Sequence, residues 1–360
     1  MAGGDHSARS IQASGRATHA MKARSVEIIG GGLAGLALGL SLRRAGVEVT
    51  IFEAGEYPRH RVCGEFITGL GAATITRLGL VPLLADAGRL SEVEWFFRGR
   101  PARRHRLPAP ALAISRHALD ARLADAFTAT GGRLLTCTRV DIADAPEGRV
   151  ISTGRRRSLS SWLGLKLHAR NLPLGSDLEF HMGDGAYVGV CPVEDGRVNV
   201  CGLFLQRPDL PVTRETALVA YLSATGLDQL ATRLAASNIC SESCAAVAGV
   251  SFDRGVIAPG RIHLGDTFAM IPPFTGNGMA MAFQSAETAL DPLLAWARGA
   301  ASWRDTVRLV GLLLQRRFRR RLAAADVLHP FLHAPSRQRW LAAAARAGAL
   351  PLRPLYHLLH

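Results

Sequence analysis

The residues best suited by type and spacing to chemistry begin at Gly30-Gly31-Gly32-Leu33-Ala34-Gly35. This is Gly-x-Gly-x-x-Gly, followed by an acid, Glu53, about twenty residues on. Gly30 permits a tight turn, Gly32 lets the backbone approach a pyrophosphate, and Gly35 lets helix and strand pack closely. Glu53 is placed to accept both hydroxyls of an adenosine ribose, which favours FAD or NAD over NADP. Arg116, just after Ser115 at a helix start, can reach a bound anion. Gly265-Asp266 and Gly276-Asn277-Gly278 form a second place where polar cofactor groups can be held. Cys63, beside Arg61 and His60, is either a reactive thiol whose pKa those cations lower or a small packing residue.

These residues need particular elements around them. Residues 25–29 read as a strand, 36–46 as a helix of small and apolar residues, and 47–52 as a second strand. That is the strand–turn–helix–strand context the glycine fingerprint requires. Helices are expected over 71–78 and 81–87, a strand over 93–97, and a basic, proline-bearing solvated loop over 98–110. Ser115 is a natural N-cap for an amphipathic helix over 118–130. Strands follow at 134–140 and 149–152. From 162 to 205 the pattern alternates, with strands at 163–168, 178–182, 187–193 and 198–205 and a hairpin turn at Asp195-Gly196. Residues 213–236 read as helical. The chain then returns with a strand over 261–264, an irregular loop to Gly278 and a helix over 279–290, and residues 303–360 are helical and basic.

The expected fold class is α/β. A Rossmann-type cofactor domain, mostly parallel sheet, occupies 25–90, 111–158 and 251–300. An inserted antiparallel sheet over 91–110 and 159–250 forms a substrate domain, and 301–360 adds basic helices. Residues 1–24 read as a disordered extension, with Met21 as an alternative start.

The chain has 360 residues and a formal net charge of +14, carried by arginine far more than lysine. Without interleaved aromatics, the arginines of 98–110 make a poor single-strand platform, so no nucleic-acid partner is expected. Six cysteines in a chain this long lack disulfide-framework or zinc spacing, which points to free thiols, no metal and a cytoplasmic setting. No apolar run reaches the roughly 18 residues that a membrane span needs. Arg316-Arg317-Phe318-Arg319-Arg320-Arg321 beside the apolar 310–314 is the mix of an interfacial helix, so peripheral membrane contact competes with a solvated basic face on a packed bundle.

In combination the motifs resemble FAD-dependent oxidoreductases with the p-hydroxybenzoate hydroxylase fold. Arg61-Val62-Cys63-Gly64 and Pro273-Phe274-Thr275-Gly276-Asn277-Gly278 are most similar to the geranylgeranyl reductase-like branch. Aromatic hydroxylases usually have a histidine shortly after the Gly-Asp pair, where this chain has Thr267-Phe268-Ala269. The family's middle Asp-Gly motif stands here as Thr153-Gly154-Arg155, without its acid. The tryptophan-rich halogenase motif is absent, with Tyr187-Val188-Gly189-Val190-Cys191-Pro192 in its slot.

The resemblance implies an FAD site made by Gly30, Gly32, Leu33, Ala34, Gly35, Glu53, Arg61, Arg116, Val140, Asp266, Gly276, Asn277, Gly278 and Met279. Glu53 and the first glycines would hold the ADP half, Asp266 the ribityl chain, and 276–278 the pyrimidine end of the flavin. The dipole at that helix start would stabilise anionic reduced flavin. With no second Rossmann fingerprint, NADH or NADPH would dock transiently as electron donor or be replaced by a carrier protein. The reaction implied is flavin hydride transfer to a carbon–carbon double bond of a lipophilic, polyprenyl- or polyketide-like small molecule, with Cys63 near the pocket. The alternatives are FAD-dependent hydroxylation of an aromatic or polyketide substrate, halogenation, and a non-enzymatic FAD-containing surface binder. Oligomeric state stays open.

Overall fold

The computed structural model describes residues 23–144, 146–155, 158–252, 260–350 and 352–359. The extension expected over 1–24, including Met21, lies almost wholly outside them. The elements in chain order begin with β1 (Val26–Ile29), α1 (Leu33–Arg44), β2 (Val49–Phe52), β3 (Phe66–Ile67) and α2 (Ala72–Arg77). Next come β4 (Gly88–Phe97), β5 (Arg100–Ala113), α3 (Arg116–Ala129), β6 (Arg133–Leu135) and β7 (Arg149–Ile151). Then β8 (Trp162–Arg170), β9 (Leu178–Gly183), β10 (Ala186–Pro192), β11 (Arg197–Leu205), α4 (Ala217–Ala224), α5 (Asp228–Ala235) and β12 (Asn238–Ala248). The chain closes with β13 (Ile262–His263), α6 (Gly278–Ala297), α7 (Trp303–Leu328), α8 (Pro330–His333), α9 (Pro335–Arg346) and α10 (Leu352–Leu359).

One sheet has the order β13-β7-β1-β2-β6 and is parallel at every pairing. Its central strand β1 buries Val26 and Ile28 on one face and Ile29 on the other, as expected of a parallel strand covered on both sides. Helix α1 covers it with ten consecutive buried residues, Leu33 through Leu42. Small residues make that contact possible: a Cβ at Gly39 would stand 2.7 Å from Ile51 Cδ1. Each buried leucine here contributes on the order of 1.5–3 kcal/mol. Arg43 closes the helix, donating to the carbonyls of Thr130 and Val47 at 2.9 and 3.0 Å.

The second sheet has the order β12-β8-β11-β10-β9-β4-β5-β3. It is antiparallel except where β4 runs beside β9. The hairpin turn at Asp195-Gly196 has both residues at positive φ, 60° and 67°, the geometry that matches strand twist.

Several local expectations are corrected. Residues 98–110 are not a solvated loop but most of β5, because Arg98-Gly99 makes a two-residue turn (φ 48° and 74°) that pairs Phe97 with Arg100. Residues 81–87 are turns rather than a helix, and 213–236 hold two helices broken at Gly226. The strand expected over 134–140 ends at Leu135, where Cys137 takes φ 52°. Val140 therefore lies on an irregular segment and not on a strand. No helix among the described residues is long and apolar enough to cross a membrane.

Candidate functional site: a dinucleotide cradle

The glycines of the first turn divide their work as the spacing predicts. Gly30 has φ 108°, and a Cβ there would meet Ser152 O at 2.4 Å. At Gly35 a Cβ would strike Gly30 O at 2.1 Å and Ser152 Oγ at 2.6 Å. Gly32 caps α1, and nothing stands within 4 Å of the position its Cβ would take. That face is open at a helix N-terminus whose N–H groups and dipole favour phosphate.

The other motifs converge on this turn. Gly265 (φ 57°) begins a short 3-10 turn, Gly265–Thr267, and donates its N–H to Ser285 Oγ at 2.9 Å. A Cβ at Gly265 would sit 3.3 Å from Ala34 of α1 and 3.8 Å from Ala282 of α6, so the turn lies between the starts of both helices. Thr267 Oγ1 accepts from Gly154 N–H at 2.9 Å and donates to Gly154 O at 3.1 Å. The Thr153-Gly154-Arg155 segment is thereby fixed to the same turn despite lacking an acid. Gly276 adopts a left-handed conformation, where a Cβ would meet Phe66 at 2.3 Å. Asn277 is fully buried, Met279 nearly so, and Gly278 opens α6 with nothing within 4 Å of its Cβ position.

Two sequence-predicted residues behave less simply. Glu53 is buried, and its oxygens already accept from Gly31 N–H at 2.8 Å, Gly55 N–H at 2.9 Å and Arg59 Nη2 at 2.7 Å. A ribose would compete with or supplement these bonds, since each carboxylate oxygen has two lone pairs. Tyr57 adds a hydrogen bond to Gly31 O. Burial then raises the Cys63 thiol pKa, with Arg116 opposing, so the lowered pKa expected from Arg61 and His60 is not found. Cys63 sits half-buried on a loop whose carbonyls at Cys63 and Gly64 accept from Asn199 at 3.1 and 2.9 Å.

Asp120 escaped the sequence reading. It is fully buried and binds Arg61 Nε at 2.8 Å and Arg116 through Nε and Nη2 at 2.7 and 2.8 Å. The signal was available, since Arg116 and Asp120 are four apart on α3. Burial works against the Arg116 charge, yet Asp120 more than offsets it and keeps the guanidinium firmly protonated. Ser115 caps α3 as predicted, accepting from Ala118 N–H at 3.0 Å, and also bonds Glu194 through its hydroxyl and its N–H.

Asp266 faces this pair. It is exposed to solvent and forms no hydrogen bond or ion pair among the described residues. Protein nevertheless surrounds the carboxyl group on most sides. That desolvation raises its pKa, while Arg116, Arg155 and Arg61 pull it down.

A buried polar cluster braces the loop over 59–66, and it too was missed. Glu65, at φ 58° and fully buried, accepts from Arg116 N–H at 3.0 Å and from His168 Nε2 at 2.6 Å. Lys166 Nζ lies 3.3 Å from the same carboxylate and 3.2 Å from His60 Nδ1. His60 is driven down to a pKa of about 3 by burial and by Lys166. A lysine and histidine two apart inside an otherwise apolar strand were the clue. They point to the same face and need a shared counterion.

The described residues fit FAD. Two helix starts present open glycine faces, a carboxylate stands unbonded beside three arginines, and both glycine motifs meet at one turn. Among these residues no group of three or more His, Cys, Asp or Glu side chains is arranged to hold a metal.

Comparison with known proteins agrees. Residues 28–77 match the family described as an NAD(P)-binding Rossmann-like domain. A menaquinone reductase of Mycobacterium tuberculosis is 25% identical over 362 residues, covering 86% of this chain and 84% of the relative. Among solved structures, HpxO of Klebsiella pneumoniae complexed with FAD and uric acid aligns with a TM-score of 0.74 at 16% identity, over 94% of this chain and 97% of that one. The p-nitrophenol 4-monooxygenase PnpA of Pseudomonas putida gives 0.72 at 15% identity, over 94% and 96%. The chain thus shares the architecture of the flavin monooxygenases and carries a Rossmann-like nucleotide-binding motif at its first turn. The geranylgeranyl reductase-like placement finds no counterpart among these relatives.

Proposed function

We propose that this chain is an FAD-dependent monooxygenase that hydroxylates a flat, lipophilic ring compound, with NADH or NADPH as a transient electron donor. The observation that carries this reading is an aromatic cluster beside the α6 N-terminus. Phe180 and Tyr187 of the second sheet stack at 5.8 Å, and Tyr187 meets Phe274 edge-on at 6.4 Å. Phe274 lies in the turn that leads into Gly276-Asn277-Gly278. Ring faces of this kind suit a planar substrate better than an acyclic isoprenoid chain. In the reaction one atom of molecular oxygen replaces a ring hydrogen as hydroxyl, the other leaves as water, and the pyridine nucleotide supplies two electrons.

In this reading Gly30, Gly32, Leu33, Ala34 and Gly35 cradle the pyrophosphate, while Glu53 and Val140 lie at the adenosine end. Arg61 and Arg116, held by Asp120, present positive charge to the phosphates, and Asp266 bonds the ribityl hydroxyls. The N–H groups of Gly276, Asn277, Gly278 and Met279 orient the flavin's pyrimidine edge. Bound FAD supplies the redox chemistry, and the chain's own groups position it and exclude water. Cys63 lines the same region and, with its raised pKa, serves by shape and not as a thiolate.

A second reading, hydride transfer to a carbon–carbon double bond or quinone, is favoured by the menaquinone reductase relative and by the Arg61-Val62-Cys63-Gly64 loop. Isotopically labelled oxygen separates the two. Label in the product supports hydroxylation, whereas an unlabelled product with saturated or reduced substrate under anaerobic conditions establishes the reductase. We further infer that the exposed face of α7 meets an anionic lipid surface, through Leu309, Leu312 and Leu313 beside Arg316, Arg319 and Arg320.

A further inference from the structure

Two polar atoms in this aromatic cluster form no hydrogen bond among the described residues. Tyr187 on β10 is 3% exposed, and its hydroxyl forms no hydrogen bond among the described residues. His329, at the junction of α7 and α8, has a buried Nε2 that is likewise unbonded. The two rings stand edge-on 5.8 Å apart. Both flank Phe274, each at 6.4 Å, and so border the turn that enters α6. Trp162 at 5.6 Å and Phe252 at 4.9 Å complete the surroundings of the imidazole. Buried donors are almost always bonded, because leaving one unmade forfeits its hydration. Two of them within one aromatic cluster mark a place where an external atom would complete the bonding. The imidazole is neutral at pH 7, since burial, with His333 beside it, brings its pKa down to about 4. It can therefore donate without bringing charge into an apolar site.

We infer that Tyr187 and His329 together read an oxygen on the substrate ring. The Tyr187 hydroxyl and the His329 Nε2–H donate to a ring carbonyl or phenolic oxygen, while Phe274 and Trp162 pack against the ring. The inference rests on the proposed function for placing the substrate beside α6, and it narrows the substrate to an oxygen-bearing aromatic or quinonoid ring. It also gives the C-terminal segment a part in recognition, because α8 packs on β9 and β10 and brings His329 to the cluster.

Equilibrium dialysis against naphthol, naphthoquinone and naphthalene tests this. A site built to bond an oxygen rejects the analogue lacking it by at least about 10-fold. The wild-type protein is expected to show that preference for both oxygenated probes. Tyr187→Phe and His329→Phe should each erase most of it while leaving naphthalene affinity unchanged, and His329→Gln, which keeps an N–H donor, should restore part. Equal wild-type affinity for the three probes, or variants that weaken all three alike, would overturn the inference. The wild-type comparison stands even where a variant does not fold. FAD content, read from flavin absorbance in the same samples, reports on the proposed function separately, because the dialysis preference does not require the flavin.

Discussion

Asp266 shows how a single side chain can be costly without its ligand and useful with it. Its carboxyl pKa lies above the usual value, so between the unfolded value and that raised one the folded protein holds a proton that the unfolded chain has released. As pH rises from the unfolded value through the folded one, that contribution to stability is lost, and at neutral pH the charge is a net burden on the empty protein. Asp266→Asn is therefore expected to raise the thermal midpoint of apoprotein at pH 7. The same change should weaken FAD binding by roughly 1.5–3 kcal/mol through the loss of charge-assisted bonds. Flavin fluorescence titration beside a melting curve checks both signs. A midpoint that falls together with affinity would mean that the carboxylate is structural. The glycines and Asp266 were legible because a fingerprint constrains backbone. Asp120, Glu65 and Lys166 carry only partial local signals, because part of their bonding lies with partners up to 106 residues away in sequence.

Elements were legible where one period dominated. The alternation places β8 to β11 within a residue or two, and the apolar run places α1 within three. By contrast β5 was read as a loop, since arginine and proline outweighed an alternation in which Arg103, His105 and Leu107 turn partly inward while Arg104 and Arg106 stay out. Glu179 on β9 shows how such strands are fastened. It accepts from Arg233 of α5 at 3.0 Å, from His181 at 2.9 Å and from Gly175 N–H at 2.8 Å. Burial alone would raise its pKa, yet these bonds prevail and hold it down at about 2. The folded value is depressed from 4.5, so the stabilisation is complete above the unfolded value and disappears as pH falls from there towards 2. It amounts to about 3 kcal/mol. Urea midpoints measured across that window should fall more steeply for wild type than for Glu179→Gln. Parallel slopes would remove Glu179 from the account.

For the molecule as a whole, the C-terminal helices are more firmly joined than their basic composition suggested. Val310, Leu314, Phe318, Leu322 and Ala325 of α7 are buried in the cofactor-domain core. Gln338 of α9 reaches Gly183 O of β9 at 2.7 Å, and Arg103 of β5 reaches Ala345 O at 3.1 Å. Removing this region would expose core, so the membrane proposal is better tested on its outer face. Replacing Arg316, Arg319 and Arg320 by glutamine should reduce binding to anionic liposomes by about 1 kcal/mol per site at low salt, with FAD content unchanged. Binding that resists both salt and these substitutions would locate any lipid contact elsewhere. The strand order carries a consequence for biosynthesis. Among the described strands the first made, β1, is central, while its sheet is finished by β13 and its cradle by the start of α6, more than two hundred residues later. A nascent chain can thus form the glycine turn early but has nothing to close over a flavin until most of its length has left the ribosome. Cofactor capture then becomes one of the last events in maturation, and translation arrest before Gly278 should yield chains that cannot retain FAD at all.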